Sequence, residues 1–143
     1  MVRHVLVAVD GSENSRKAAA FGRELARDVG GKLTLLYVLE PPPVVVVGFP
    51  EVYGMTNRQP TEEELDAVRK MLDEAADGMP ADRVEKVIEY GVAAQTILDQ
   101  CEARKADLLV IGARGLGPMG RWLLGSVSDR VVHHSKCPVT VVH

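Results

Sequence analysis

Hydrophobic residues follow two alternating patterns along this chain. Five short runs are apolar nearly throughout, at residues 5–9, 33–39, 84–90, 108–111 and 139–142. The third is the weakest and alternates with polar positions. The runs are rich in Val, Ile and Leu, as strands covered on both faces should be. Between them lie four helical stripes. Ala18, Phe21, Leu25 and Val29 form the first, which meets Gly30 and Gly31, suitable C-terminal capping residues. Leu65, Val68, Leu72, Ala75 and Met79 form the second, preceded by Thr61-Glu62-Glu63-Glu64, the signature of a capping box. Ala94, Ile97, Leu98 and Cys101 form the third, and Leu124, Val127 and Val131 the fourth, with Ser135 as a possible extension. Strand–helix alternation of this kind predicts an α/β sheet with mainly parallel strands. At 143 residues the chain is expected to be one domain, 1–143.

One connection breaks the rhythm. Residues 41–60 contain Pro41, Pro42, Pro43, Pro50 and Pro60, with four consecutive valines at Val44 to Val47. Proline and glycine forbid a helix there. Connections of that length are commonly lids or binding loops. A surface excursion with edge-strand character fits the residues equally well.

Composition narrows the function classes. Hydrophobic residues are 46% and charged residues 26%, an ordinary globular mix that argues against disorder. The net charge of −3 and an aromatic content of 4% give neither a basic face nor stacking platforms, so no nucleic-acid partner is expected. No apolar run reaches the roughly 18 residues of a membrane helix, so no membrane partner is expected either. The apolar start is short, meets Asp10 at once and lacks a small-residue cleavage site, so the expected location is cytoplasmic. Cys101 and Cys137 lack C-x-x-C spacing and read as small buried hydrophobes.

The candidate chemistry lies after the fourth run. Gly112, Gly115, Gly117, Gly120 and Gly125 share one strand-to-helix passage, followed by Ser126 and Ser128. Such a loop gathers backbone N–H groups into an anion site, and the following helix adds its positive end. Asp10-Gly11-Ser12 follows the first run, so both loops belong at the carboxyl end of the sheet. Residues 115–120 satisfy the dinucleotide pattern G-x-G-x-x-G. However, they sit in the last strand–helix–strand unit and lack the later acidic residue, which argues against NAD. Residues 120–126 space their glycines like a P-loop without its lysine, which argues against an ordinary P-loop NTPase.

A third pattern fits. Gly112-x-x-Gly115, nine residues, then Gly125-Ser126 resembles the nucleotide signature of the universal stress protein family. The opening run ending in Asp10-Gly11-Ser12, the second run, the 106–112 lead-in and the closing 135–142 segment extend the resemblance over the whole chain. It implies a Rossmann-like, open five-stranded parallel sheet of order 3-2-1-4-5 with helices on both faces. It also implies ATP or a related adenine nucleotide as ligand; Mg is expected with ATP, with Asp10 as a candidate to hold it through water or else to cap the following helix. Carried over, Asp10 would lie beside the adenosine and Val38 would touch the adenine. Gly112, Ala113, Arg114 and Gly115 would wrap ribose and phosphates. Gly125, Ser126, Val127 and Ser128 would hold phosphates. The resemblance further implies a homodimer through the last strand.

No catalytic residue and no metal-ligand set stands out. His133 and His134 are adjacent and point about 100° apart on a helix, which does not suit a shared metal. Arg121 reads as a solvated side chain, with a phosphate contact as the alternative, and Trp122 reads as a packing or interface residue rather than a base-stacking one. Phosphoryl transfer needs a positioned base and charge clamps that this sequence does not display. The function expected is therefore a nucleotide-dependent stress-response regulator with slow or no hydrolysis. The alternative is a nucleotide-independent dimeric interaction module of the same fold.

Overall fold

Alternation along each apolar run puts one set of side chains on each face of a sheet, and a helix covers each set. A computed structural model describes residues 1–41, 59–113 and 124–143 of the chain. The elements are β1 (His4–Ala8), α1 (Glu13–Asp28), β2 (Lys32–Leu39), α2 (Glu62–Ala75), β3 (Val84–Tyr90), α3 (Ala93–Ala103), β4 (Leu108–Gly112), α4 (Ser126–His134) and β5 (Val139–Val142). The strands pair in parallel in the order β3-β2-β1-β4-β5, as the family resemblance implied. Most of the 41–60 connection lies outside the described residues. Among the described residues no helix is long and apolar enough to cross a membrane.

The core has two layers. Val5, Val7, Leu33, Leu35, Leu108 and Val110 pack with Ala18, Ala19 and Ala26 of α1 and Val68 and Leu72 of α2. Leu6, Leu36, Leu109 and Ile111 point the other way, onto Ala94, Ile97 and Cys101 of α3 and Val131 of α4. Local signals set the helix ends. Thr61 and Glu64 form the reciprocal capping box at the start of α2. At the end of α1, Gly30 takes a φ of +66° while the Gly30 and Gly31 N–H groups bond back to Arg27 and Ala26.

The first helix departs from its predicted stripe. Its buried residues are Ser15, Ala18, Ala19, Gly22 and Ala26, while Phe21 and Val29 are 43% and 45% exposed. The reason is distance. A Cβ on Gly22 would collide with Cγ2 of Val7. Small residues let α1 settle close to β1, so size rather than hydrophobicity chose the buried face. Leu124 likewise precedes α4 and is exposed, and Ser135 ends the helix instead of extending its apolar stripe.

The base of β1 carries a polar contact in the core. Nδ1 of His4 faces the Arg104 carbonyl at 3.2 Å and so bears the proton. Nε2 then accepts from the hydroxyl of the fully buried Thr34 at 2.8 Å. Burial, followed by the Lys32 ammonium, holds the imidazole below its ordinary value, against the raising effects of the Arg104 carbonyl, Asp107 and Glu85. The fold therefore favours the neutral ring. This contribution is present above the ordinary value of about 6.5 and is lost as pH falls through the lower folded value. Melting temperature should decline between pH 7 and pH 5, and the decline should be shallower in His4→Gln.

Candidate functional site

The strand order reverses direction between β1 and β4, and connections leaving an open parallel sheet on opposite faces there create a crevice at the carboxyl ends. The described residues enclose a cleft of about 920 Å³ at that point. This is within the usual size of a small-molecule site.

One wall grows out of β1. Gly11 adopts a φ of +83° that turns the chain from the strand into α1. Ser12 caps the helix by accepting from the Ser15 N–H at 3.2 Å. Asp10 lies at the mouth, where its Oδ1 accepts from the Ser12 N–H at 2.9 Å. Partial burial would raise this carboxyl. Hydrogen bonds from the hydroxyl and N–H of Ser12, from the Ser15 hydroxyl and from its own N–H outweigh that and hold it below the usual carboxylate value. Asp10 is thus an ionised acceptor at neutral pH.

The opposite wall grows out of β4. Gly112 ends the strand against the first turn of α1, where an added Cβ would meet Asn14 and Ser15 backbone atoms at 2.6–2.8 Å. Asn14 donates its side-chain amide to the Ala113 carbonyl, tying α1 to the end of β4. The Ser128 hydroxyl donates to the Gly112 carbonyl at 3.0 Å and ties down α4 in the same way. No side chain caps α4. Helical geometry therefore leaves the N–H groups of Ser126, Val127 and Ser128 without intrahelical partners. The same geometry leaves those of Glu13 and Asn14. Two helix N-termini, each carrying partial positive charge, converge on one cleft.

The remaining wall is apolar. Leu36, Val38, Ile97, Ile111 and Val127 line it, with Ala93 at the start of α3. Glu40 closes the rim and accepts from the Ala93 N–H at 2.8 Å.

Of the residues singled out by sequence, Asp10, Val38, Gly112, Ala113, Gly125, Val127 and Ser128 line this cleft. Ser126 is the first residue of α4 and is exposed, outside the lining. Arg114 and Gly115 lie outside the described residues, as do Arg121 and Trp122. Sequence reasoning missed Asn14, Glu40, Ala93 and Ile97. A signal existed for Asn14, because asparagine disfavours helix interiors and in a first turn commonly makes a specific polar contact. None existed for Ala93 and Ile97, which read only as helix core. Among the described residues, no group of three His, Cys, Asp or Glu is arranged to hold a metal ion.

Known proteins share this architecture. A universal stress protein of Thermus aquaticus is 34% identical over 99% of both chains. A universal stress protein solved in complex with cAMP superposes with a TM-score of 0.71 at 27% identity, over 99% of this chain and 97% of its own. One from Lactobacillus plantarum gives a TM-score of 0.72 at 25% identity, over 99% and 98%. The sequence profile of the universal stress protein family matches residues 1–143. On that full-length match and the sheet order that accompanies it, the chain belongs to the universal stress protein family.

Proposed function

We propose that this protein binds an adenine nucleotide, with ATP as its ligand, and acts as a nucleotide-dependent stress-response regulator with slow or no hydrolysis. The observation that carries this reading is the pairing of two walls in one cleft. Free helix N–H groups at α1 and α4 suit phosphate oxygens, and the Val38–Ile97–Ile111 side suits a purine face. The donor set fits the group. Asp10, held ionised, accepts from ribose hydroxyls, and a Mg ion arriving with the polyphosphate would meet the cleft carboxylates Asp10, Glu13 and Glu40. Gly125, Val127 and Ser128 offer backbone N–H groups rather than the Ser128 hydroxyl proton, which already serves Gly112. Ser126, Arg114 and Gly115 complete the proposed contacts. The relative solved with cAMP supports the adenine class. Bound ATP supplies a polyphosphate whose presence biases the conformation of the surrounding loops.

A thermal melt with Mg-ATP, cAMP and NADH tests the reading. Ligand at about 100 times its Kd stabilises by about 2.7 kcal/mol, a shift of several degrees for a chain of this size. A shift with adenine mononucleotides but not NADH is expected. The absence of any shift at millimolar ATP would move the reading to a nucleotide-independent interaction module. Turnover approaching roughly 1 s⁻¹, the lower range of ordinary enzymes, would contradict a regulator without significant hydrolysis.

We further propose a homodimer through β5. This strand ends the sheet, and all four of its residues are half-buried. The carbonyls of Pro138 and Val142 accept from Leu109 and Ala113 of the β4 side. By strand alternation the N–H groups of Val139 and Val141 face the open edge, which offers a partner an unpaired, apolar ladder. Val141→Pro removes one edge donor without breaking a bond to β4. It should leave the fold intact and convert dimer to monomer in sedimentation equilibrium. A wild-type monomer at micromolar concentration would refute the assembly.

A further inference from the structure

Cys101 and Cys137 carry chemistry outside the nucleotide cleft. They are separated by 36 positions in sequence, yet their sulfurs lie 2.9 Å apart. Both are free thiols. A disulfide bond needs a separation of about 2.05 Å, so the sulfurs must approach by about a further 0.9 Å. Local geometry holds both partners in place. Cys101 occupies the last turn of α3, where the Ala106 N–H bonds back to its carbonyl at 3.0 Å and Lys105 takes a left-handed φ of +53°. Cys137 sits in a tight turn. The Ser135 hydroxyl donates to the Cys137 carbonyl at 2.8 Å and accepts from the Cys137 N–H at 3.3 Å. Lys136 and Glu102 pair at 2.7 Å and join the same two segments. A second cavity of about 190 Å³ opens on the pair, lined by Leu98, Lys105, His134 and both cysteines among others.

We propose that Cys101 and Cys137 form a reversible intramolecular disulfide on exposure to hydrogen peroxide. Cys137, the more exposed of the two, attacks first. Its thiolate sulfur takes one peroxide oxygen, the O–O bond breaks, and the departing hydroxide is protonated to water. The Cys101 sulfur then attacks the Cys137 sulfenic acid, giving up its proton as the S–O bond breaks and a second water leaves. Two thiols are oxidised and one peroxide is reduced to two waters. The roles follow the environments. Burial, and then the hydrogen bond and charge of Cys137, push the Cys101 thiol up to about 12, which keeps it from attacking peroxide first; its 2.9 Å contact with the Cys137 sulfur is what places it to resolve the sulfenic acid. The bond would tie the end of α3 to the entry of β5 and enclose β4 and α4, the elements that carry one wall of the cleft.

The test uses the full, reduced wild-type chain and hydrogen peroxide. Both thiols should disappear together on titration under denaturing conditions. The intact mass should fall by about 2 Da, the two lost hydrogens, while the band on a non-reducing denaturing gel remains that of a single chain. The melting temperature should rise by roughly 5–10 °C for a loop of this length, and dithiothreitol should reverse every change. Cys137→Ser should abolish the mass loss, and Cys101→Ser should instead leave oxygen adducts on Cys137. The proposal is overturned if the wild-type chain gains about 16 or 32 Da at Cys137 while Cys101 stays titratable. Covalent dimers in place of the internal bond, or two thiols that persist, would overturn it equally.

Discussion

Gly112→Ala should lower the melting temperature by roughly 5–10 °C, the equivalent of about 2–3 kcal/mol of overpacking. It should also weaken nucleotide binding. The added methyl carbon would sit 2.6 Å from the Asn14 carbonyl carbon, 2.7 Å from the Ser15 nitrogen and 2.8 Å from the Asn14 oxygen. All three are backbone atoms in the first turn of α1, so no rotamer change relieves the contact. That turn must retreat from β4, which also disturbs the Asn14 bond to Ala113. The free N–H groups of α1 then leave the position facing α4. Gly78→Ala is the natural comparison. Gly78 has a φ of +81° but nothing within 4 Å of the added carbon. It should lose about 1 kcal/mol of stability from left-handed strain and no affinity. Melting curves and ATP titrations of the two variants decide the matter. Wild-type stability in Gly112→Ala would mean that the β4–α1 approach is not rigid.

Val38→Glu should weaken ATP binding about 100-fold, or about 2.8 kcal/mol, with little loss of fold. Val38 is half-buried near the end of β2 and lines the apolar wall. Its register partner on β3 is Glu89, and Glu40 follows two residues later. A carboxylate there has acidic neighbours on both sides. Nucleotide entry would desolvate it without a partner. The same change leaves the helix N-termini untouched, so phosphate-only ligands should bind as before. Calorimetric titration with ATP and with inorganic triphosphate separates the two walls. Equal losses for both ligands would mean that Val38 does not face the base.

Much of this architecture is written locally. The five runs became five strands because a residue period of two distributes apolar side chains to both faces, and each run falls within a residue of the strand observed. Thr61 with Glu64 began α2, and Gly30 with Gly31 ended α1, where short-range hydrogen bonding required. The glycine and serine content after β4 marked one side of the cleft, and Asp10 marked the other.

Contacts between distant segments were decided only by the tertiary structure. The buried face of α1 is the one with small side chains, because packing depth against Val7 outweighs the pull of Phe21 and Val29 toward the core. Asn14 joins Ala113, and Ala93 and Ile97 share the cleft with Val38, because the crossovers leave the sheet side by side at its carboxyl end. Cys101 and Cys137 meet at the opposite, amino end of the sheet, where the crossovers through α3 and α4 return to the adjacent strands β4 and β5. Periodicity within a window of sequence records the face that a side chain shares with others of its own element, but not how deeply that side chain is buried, as Phe21 of α1 shows. Which side chain it meets depends on how separate elements stack, and in this chain that is fixed by the strand order β3-β2-β1-β4-β5.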